Sequence, residues 1–167
     1  RYGAVFTPKT FEFRFYDVYN TAAAYISLSE IALMRGGVPL DAACYDLSLC
    51  SASSVNASYV VANLFDNCGN TYWRADRRPQ GSPDYVSVRV TLKEASGGID
   101  GYALGSGFNG ETADSAKKDA EENYANPKNW DVYAIAADGT ATLVDSRRDV
   151  RLAPVNDNTS LRFKGAL

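Results

Sequence analysis

Histidine is absent from the 167 residues of this chain, and its absence narrows the chemistry available to the protein. Nucleophiles activated by a histidine base, as in Ser-His-Asp and Cys-His arrangements, are excluded, and so are zinc sites built on imidazole. Carboxylate pairs remain, because the chain has 20 Asp and Glu residues, but no pair stands out from a surface background. The sequence therefore predicts a protein that is not an enzyme.

Long apolar runs and a strong net charge are also missing. No segment approaches the ~18 consecutive apolar residues of a membrane-spanning helix, so no membrane insertion is expected. The formal net charge of −3 argues against a nucleic-acid partner held by phosphate neutralisation. Two local basic clusters, of a kind typical of solvated faces, consist of Arg74, Arg77 and Arg78 and of Arg147, Arg148 and Arg151.

Cysteine is scarce, with three residues at positions Cys44, Cys50 and Cys68. An odd number cannot pair completely within the chain, although a Cys44–Cys50 bridge stays open. The spacing does not match a metal site. This pattern favours free thiols and leaves the redox compartment undecided.

The residues that are present predict one domain with a hydrophobic core, because 46% of them are hydrophobic. Residues 1–10 lead into a single domain over residues 11–167. Residues 11–16 alternate strictly and place Phe11, Phe13 and Phe15 on one strand face. Residues 25–33 form a second strand whose apolar phase switches near Ser29 and Glu30, which indicates a bulge.

Further strands are expected along the rest of the chain. A glycine turn at residues 36–37 and irregular structure at residues 38–60 precede the next clear strand, at residues 85–92. A hairpin follows at residues 127–144 with its turn at Asp138-Gly139, and a short last strand lies at residues 161–164. Seven or eight short antiparallel strands predict an all-β fold, an antiparallel β-sandwich of jelly-roll type with one short surface helix.

The segment from Gly105 to Gly110 matches the spacing G-x-G-x-x-G of dinucleotide-binding loops. A nucleotide-binding unit needs a following helix that packs an apolar face on a parallel sheet. Between Asn109 and Trp130 there is no Val, Leu, Ile or Met, so a helix at residues 114–123 would lie on the surface. The glycines are therefore interpreted as a flexible loop, and residues 74–84 as a second exposed loop.

Residues 62–73 are the most informative segment. Leu64 and Phe65 suit a core, and a six-residue turn around Gly69 then gathers the oxygen-bearing side chains of Asp66, Asn67, Asn70 and Thr71. Such a cluster suits a hard cation such as Ca2+. A turn whose side chains satisfy only their own backbone is the alternative.

The order Phe65-Asp66-Asn67-Cys68-Gly69-Asn70-Thr71-Tyr72-Trp73 resembles the Ala-x-Asp-Gly-Asn-x-x-Thr-x-Trp signature of the discoidin family. This family, also called coagulation factor 5/8 type C, comprises galactose-binding-domain-like modules. The resemblance implies a structural Ca2+ with Asp66 and Thr71 as ligands and Trp73 in the core. Asn67 stands where the family usually has glycine, and asparagine is the next best residue for a left-handed backbone.

Residues 26–33, Ile-Ser-Leu-Ser-Glu-Ile-Ala-Leu, resemble the strand that normally ends a discoidin-type domain, yet here they precede the Asp66 loop. This order indicates a circularly permuted form, similar to modules of bacteriophage tail proteins. In the family the glutamate of that strand lies near the metal loop, so the resemblance implies Glu30 as a third ligand. The strand after Pro127 is also similar to the family, and Trp130 is expected in the core.

The resemblance implies a non-catalytic carbohydrate-binding module, part of a phage tail or fibre or another cell-surface recognition protein. Its partner would be a glycan or cell-surface polysaccharide, and its location the virion or the extracellular cell surface. The alternative is a structural domain that binds neighbouring subunits of a larger assembly. Sugar sites combine an aromatic platform with planar donors or amides, and the candidate ligand-binding residues are Tyr19, Asn20, Arg74, Arg77, Arg78, Phe108, Asn109 and Tyr124.

Overall fold

The structure, a computed structural model, describes residues 8–19, 23–79, 81–95, 97–107, 125–153 and 158–164. These ranges contain two short 3-10 helices, Ala42–Cys44 and Val61–Phe65, and no helix in them is long and apolar enough to cross a membrane. The remaining elements are strands: β1 (Thr10–Val18), β2 (Tyr25–Arg35), β3 (Val38–Pro39), β4 (Ser51–Ala52), β5 (Trp73–Asp76), β6 (Val86–Thr91), β7 (Ile99–Ser106), β8 (Pro127–Ile135), β9 (Ala141–Arg147) and β10 (Asn158–Arg162).

The strands form two antiparallel sheets that enclose the core. The first sheet has the strand order β4-β6-β1-β8-β9, and the second has the order β10-β7-β2-β3 with β5 also paired to β2. The chain passes repeatedly between the sheets, for example from β6 to β7 and from β7 to β8. The predicted all-β sandwich of jelly-roll type is confirmed.

The alternating strands supply the core as predicted. Phe11, Phe13 and Phe15 of β1 are at most 1% exposed and lie between the two sheets. The neighbouring strand β6 adds Val86, Val88 and Val90, which are equally buried. Both tryptophans, Trp73 and Trp130, are fully buried, so the prediction that they are core residues is confirmed.

The predicted bulge in β2 is confirmed. Ile26 and Leu28 are buried before it, and Ile31 and Leu33 are buried after it. The pairing of β2 with β7 shifts register between Leu28 and Glu30, where the apolar phase of the sequence changes. One extra residue therefore returns the apolar side chains to the core and turns Glu30 away from it.

The predicted turns are confirmed by backbone geometry. Gly36 and Gly37 connect β2 to β3 with positive φ angles of 60° and 78°. Gly139 connects β8 to β9 with a φ of 89°. Asp138 supports this second turn by accepting a hydrogen bond from the Thr140 N–H at 2.9 Å.

Some boundaries differ from the prediction. Strand β1 extends beyond the alternating residues 11–16 to Val18, whose side chain is buried and whose backbone pairs with Pro127 of β8. The last strand begins at Asn158 and ends at Arg162, not at residues 161–164. Residues 38–60 are mainly irregular, as expected, but include the two-residue strands β3 and β4. All three cysteines are free thiols.

The G-x-G-x-x-G segment does not begin a phosphate loop. Gly105 lies inside β7, paired with both β10 and β2. A Cβ at this position would lie 2.5 Å from Ser29 Oγ, so close packing of strands requires the glycine. Gly110 and the helix predicted at residues 114–123 lie outside the described residues.

A buried hydrogen-bond network joins the two sheets across the core. Trp130 Nε1 of β8 donates to Tyr102 Oη of β7 at 2.7 Å, and Tyr102 donates to Asp145 Oδ2 of β9 at 2.6 Å. Arg147 Nε also donates to Asp145 Oδ2, at 2.9 Å. Each of the polar atoms named in this network therefore has a hydrogen-bond partner, although Asp145 is only 2% exposed.

We expect the substitution Tyr102→Phe to destabilise the domain by about 1–3 kcal/mol, because it leaves the Trp130 N–H without its acceptor and removes one donor from a buried carboxylate. Denaturant unfolding measures this loss. Tyr133→Phe is the matched control, since Tyr133 lies on the outer face, and it should change stability by less than about 0.5 kcal/mol. Equal effects of the two substitutions would contradict a sheet-joining role for Tyr102.

Candidate functional site

The segment predicted as a metal loop follows a short helix that anchors it in the core. The 3-10 helix Val61–Phe65 buries Leu64 and Phe65, and the chain then turns outward at Asp66. Asn67 has a φ of 54°, which is the left-handed conformation expected at this position. The chain then enters β5 at Trp73, whose indole Nε1 donates to Ser54 O at 3.1 Å.

The structure brings the three predicted metal ligands together. The backbone N–H of Cys68 donates to Glu30 Oε1 at 2.9 Å and to Asp66 Oδ1 at 3.0 Å. The Thr71 hydroxyl donates to the other carboxylate oxygen of Asp66. Glu30 reaches the loop from β2, 36 positions earlier in the sequence than Asp66, because the bulge turns its side chain out of the core.

The proximity of two carboxyl groups changes the acidity of one of them. Burial, together with the neighbouring Asp66 carboxylate, raises the pKa of Glu30 to about 8. The backbone N–H of Cys68 opposes this shift without cancelling it. Near neutral pH the pair therefore needs either a proton on Glu30 or a bound cation.

The oxygen atoms of this loop are of the chemical types that bind a hard cation. Two carboxylates and a hydroxyl are the ligand types that Ca2+ prefers, and loop carbonyls or water would complete its six to eight oxygens. Within the described ranges, no three His, Cys, Asp or Glu side chains are placed so that they could hold a metal ion. Any cation here would therefore depend on Glu30, Asp66 and neutral oxygen ligands.

A pocket of about 310 Å³ lies beside this loop, lined in part by Glu30, Asn67 and Asn158. Its aromatic lining residues, Tyr45 and Phe65, are 3% and 4% exposed and pack on each other with ring centroids 4.9 Å apart. Neither ring is free to stack on a ligand. The pocket thus lacks the aromatic platform expected of a sugar site.

Arg74 is not in an exposed loop, so that part of the prediction for residues 74–84 is wrong. It lies on β5, is 8% exposed, and its guanidinium carbon lies 4.2 Å from the ring centroid of Tyr25 and 4.1 Å from that of Tyr59. Its Nη2 donates to Asn56 Oδ1 at 2.9 Å. The two tyrosine rings cover the guanidinium group of Arg74, and cation–π contacts with them stabilise its charge in this buried position.

The structure describes three of the other candidate ligand residues. Tyr19 lies under Arg151, with the guanidinium carbon 4.5 Å from the ring centroid. Arg77 Nε donates to Ala23 O, and Arg78 is exposed. The remaining candidates, Asn20, Phe108, Asn109 and Tyr124, lie outside the described residues.

A surface that the sequence did not predict covers the outer face of the first sheet. Side chains that point away from the phenylalanine core gather there, and we call the following set the tyrosine–arginine face: Arg14, Tyr16, Tyr85, Arg89, Tyr133 and Arg148. These residues come from β1, β6, β8 and the ends of β6 and β9. Cross-strand pairs such as Glu12↔Arg89 and Arg14↔Asp131 bring them side by side.

Arg14 is the centre of this face. Its guanidinium carbon lies 4.0 Å from the ring centroid of Tyr133 and 5.0 Å from that of Tyr85. Tyr85 in turn meets Tyr16 edge to face, with ring centroids 5.9 Å apart. Tyr85 is 37% exposed and keeps the largest open surface of the three tyrosines.

Two carboxylates hold the arginines in place. Glu12 accepts from Arg14 Nε at 2.6 Å and from Arg89 Nε at 2.8 Å. Burial alone would raise the pKa of Glu12, but the hydrogen bonds from the two arginines outweigh it and lower that pKa. Glu12 therefore stays ionised and fixes both guanidinium groups.

Asp131 has the same role at the other end of the face. It accepts from Arg148 Nη1 and Tyr16 Oη at 3.0 Å each and from Ser146 Oγ at 2.7 Å. Burial would raise its pKa, but these donors together lower it. Burial, reinforced by the bond to Asp131, raises the pKa of Tyr16 to about 12, so this tyrosine remains a hydrogen-bond donor at neutral pH.

One sequence signal points to this face in retrospect. The alternation that places Phe11, Phe13 and Phe15 inward also places Glu12, Arg14 and Tyr16 outward. An acidic, a basic and an aromatic side chain therefore lie in a row on the outer face. Tyr85 and Tyr133 carried no such signal, because only the strand register places them next to Arg14.

Comparisons with models of known protein families, with curated proteins and with solved structures found no match to this chain. The resemblance to discoidin-type and phage tail modules therefore rests on the sequence motifs and stays a prediction.

The Glu30 pKa predicts a pH dependence of stability in the metal-free protein. Its folded-state pKa of about 8 lies above the ordinary value of 4.5, so the folded state binds more protons between these values, and stability falls as pH rises through this window. We expect Glu30→Gln to flatten this fall in thermal melts recorded with a chelator. Glu94→Gln, an exposed control, should keep the wild-type slope; an unchanged slope in Glu30→Gln would contradict the assignment.

Proposed function

We propose that this domain is a non-catalytic carbohydrate-binding module and that the tyrosine–arginine face is its binding surface. The observation that carries this proposal is the grouping of three tyrosine rings with three arginines on an open sheet. Tyrosine rings pack against the apolar face of a pyranose, and guanidinium groups donate to its oxygen atoms. The carboxylates beneath fix the arginines before any ligand binds, which lowers the entropy cost of binding.

The absence of histidine and the state of the paired carboxylates support binding rather than catalysis. A pair of carboxyl groups is the catalytic apparatus of most glycosidases. Glu30 and Asp66, however, both accept from the Cys68 N–H, and Asp66 also accepts from Thr71. Such hydrogen bonds are typical of carboxylates that stabilise a loop. A phage tail or another surface recognition protein, at the virion or outside the cell, is the setting that we propose for such a module.

The glycan proposal predicts that Tyr85→Ala and Tyr133→Ala each weaken glycan binding about tenfold, the loss expected for a central aromatic contact. Binding is found first on an array of bacterial and host glycans and then measured with the array's best ligand. Arg78→Ala is the control, because Arg78 is exposed on the loop originally predicted to bind. Folded tyrosine variants that retain full glycan binding would exclude this face as the binding surface. Loss of glycan binding in Arg78→Ala would instead indicate that the loop containing Arg78 binds the glycan.

A structural role in a larger assembly is the second candidate. Leu47 and Leu49 favour it, because they occupy one turn and are 51% and 57% exposed. Adjacent exposed leucines suit a contact with a neighbouring protein subunit. A folded domain that binds no glycan on the array would support this role over recognition.

We also propose a structural Ca2+ in the loop held by Glu30, Asp66 and Thr71. The supporting observation is the approach of two carboxyl groups and a hydroxyl around the Cys68 N–H. The cation would displace the proton that the raised pKa keeps on Glu30 at neutral pH. Its effect would be on stability, since Trp73 and the core lie directly behind the loop.

Calcium should raise the melting temperature, and at 100 times its dissociation constant it should add about 2.7 kcal/mol to the stability of the folded state. Differential scanning calorimetry with calcium and with chelator measures this effect. Asp66→Asn should abolish the response, and Asp84→Asn, at an exposed position, should not. A melting temperature indifferent to calcium would show that the loop is only a self-satisfied turn.

A further inference from the structure

The carboxylates of the tyrosine–arginine face are already neutralised inside it. The Glu12 and Asp131 side chains are only 8% and 11% exposed, and arginines cover both. Arg14 and Arg89 bind Glu12, and Arg148 binds Asp131. Three guanidinium groups therefore oppose two carboxylates, and the outer surface of the face is positive although the chain as a whole is negative.

Donor groups remain available on two of these arginines. Arg89 binds Glu12 through Nε alone, and its side chain is 48% exposed. Arg148 makes its three bonds through Nη1, and its side chain is 54% exposed. Within the part of the chain that the structure describes, their other N–H groups have no acceptor, so they are free to bind an anion.

The two arginines approach the face from opposite sides of the sheet. Arg89 lies on β6 and Arg148 follows β9, and these strands are three positions apart in the sheet. Their guanidinium groups reach inward to carboxylates on neighbouring strands, because Arg89 Nε binds Glu12 of β1 and Arg148 Nη1 binds Asp131 of β8. Tyr16 also lies on β1 and Tyr133 on β8. A ligand that contacts both arginines and these tyrosines therefore combines acidic groups with rings.

We propose that this face binds an acidic polysaccharide made of uronic acids, an inference that rests on the glycan-binding function proposed above. The planar carboxylate of a uronic acid matches the fork of N–H donors on a guanidinium group. Its pyranose ring provides the apolar surface that packs on tyrosine. Each sugar unit thus supplies both kinds of group that the face is built to contact.

A single-stranded nucleic acid also combines negative charge with flat rings. The observations favour the uronic acid polymer over it. Sites for single strands form a positively charged groove along which successive bases stack, whereas this face is an open sheet surface on which Glu12 and Asp131 lie among the arginines.

Isothermal titration of the whole chain with four ligands tests the inference. The ligands are tetragalacturonate, neutral cellotetraose, a tetraglutamate peptide with similar charge but no sugar, and octathymidylate. We expect tetragalacturonate to bind at least tenfold more tightly than each of the others, and to weaken as sodium chloride is raised, because ion pairs on an exposed face are screened.

Two arginine substitutions locate the site. Arg89→Gln and Arg148→Gln should each weaken tetragalacturonate binding about tenfold and cellotetraose binding less, because a neutral sugar offers a guanidinium group only uncharged acceptors. Arg78→Gln, on an exposed loop elsewhere, is the matched control and should change neither. Since Arg148 also holds Asp131, unfolding curves verify that its variant is folded, and Arg89→Gln provides the same test at an exposed, less constrained position.

The outcomes separate the inference from the proposed function. Equal binding of cellotetraose and tetragalacturonate would overturn the acidic ligand and leave glycan binding intact. Equal binding of tetraglutamate or octathymidylate would show that the face recognises charge alone, which also overturns the inference. If neither saccharide binds the folded chain and the glycan array is empty, both the inference and the proposed function are wrong.

Discussion

The burial of three phenylalanines in β1 is the constraint on which the rest of this structure depends. Phe11, Phe13 and Phe15 fill the space between the sheets, and each has at most 1% of its surface exposed. Because side chains alternate along a strand, their burial forces Glu12, Arg14 and Tyr16 onto the opposite face. A slip of one residue would exchange these sets and cost about 1.5–3 kcal/mol for each buried phenylalanine. The core therefore fixes the position of the candidate binding surface.

Rigidity distinguishes this surface from a collection of solvated side chains. The sheet beneath it is joined to its partner sheet through Trp130, Tyr102 and Asp145, which are all buried. On the outside, Glu12 and Asp131 hold arginines at 2.6 to 3.0 Å, and the arginines cover tyrosine rings. Exposed ion pairs add little stability, but these two carboxylates are mostly buried and orient several groups at once. Their effect is to hold the guanidinium donor groups in fixed positions.

Local patterns in the sequence predict the fold better than they predict the site. The alternation of β1 and β6 and the phase switch in β2 depend on neighbouring residues, so each was visible in the chain. The approach of Glu30 to Asp66 followed from the resemblance to a known loop, not from local pattern. Tyr85 and Tyr133 meet Arg14 only through strand register, over separations of 71 and 119 positions. The position of Arg74 near Arg77 and Arg78 in the sequence predicted an exposed side chain. It is covered by Tyr25 and Tyr59, which come from other segments of the chain.

The central claim is that a glycan contacts the outer face of the first sheet, and tyrosine ring signals in a nuclear magnetic resonance titration test it most directly. With the best-binding glycan of the array added, the ring signals of Tyr16, Tyr85 and Tyr133 should move and saturate together, whereas those of the buried Tyr45 and Tyr102 should stay in place. Shifts confined to Tyr19, Tyr25 or Tyr59, or none at all, would contradict the account and direct attention to the opposite sheet or to the loops.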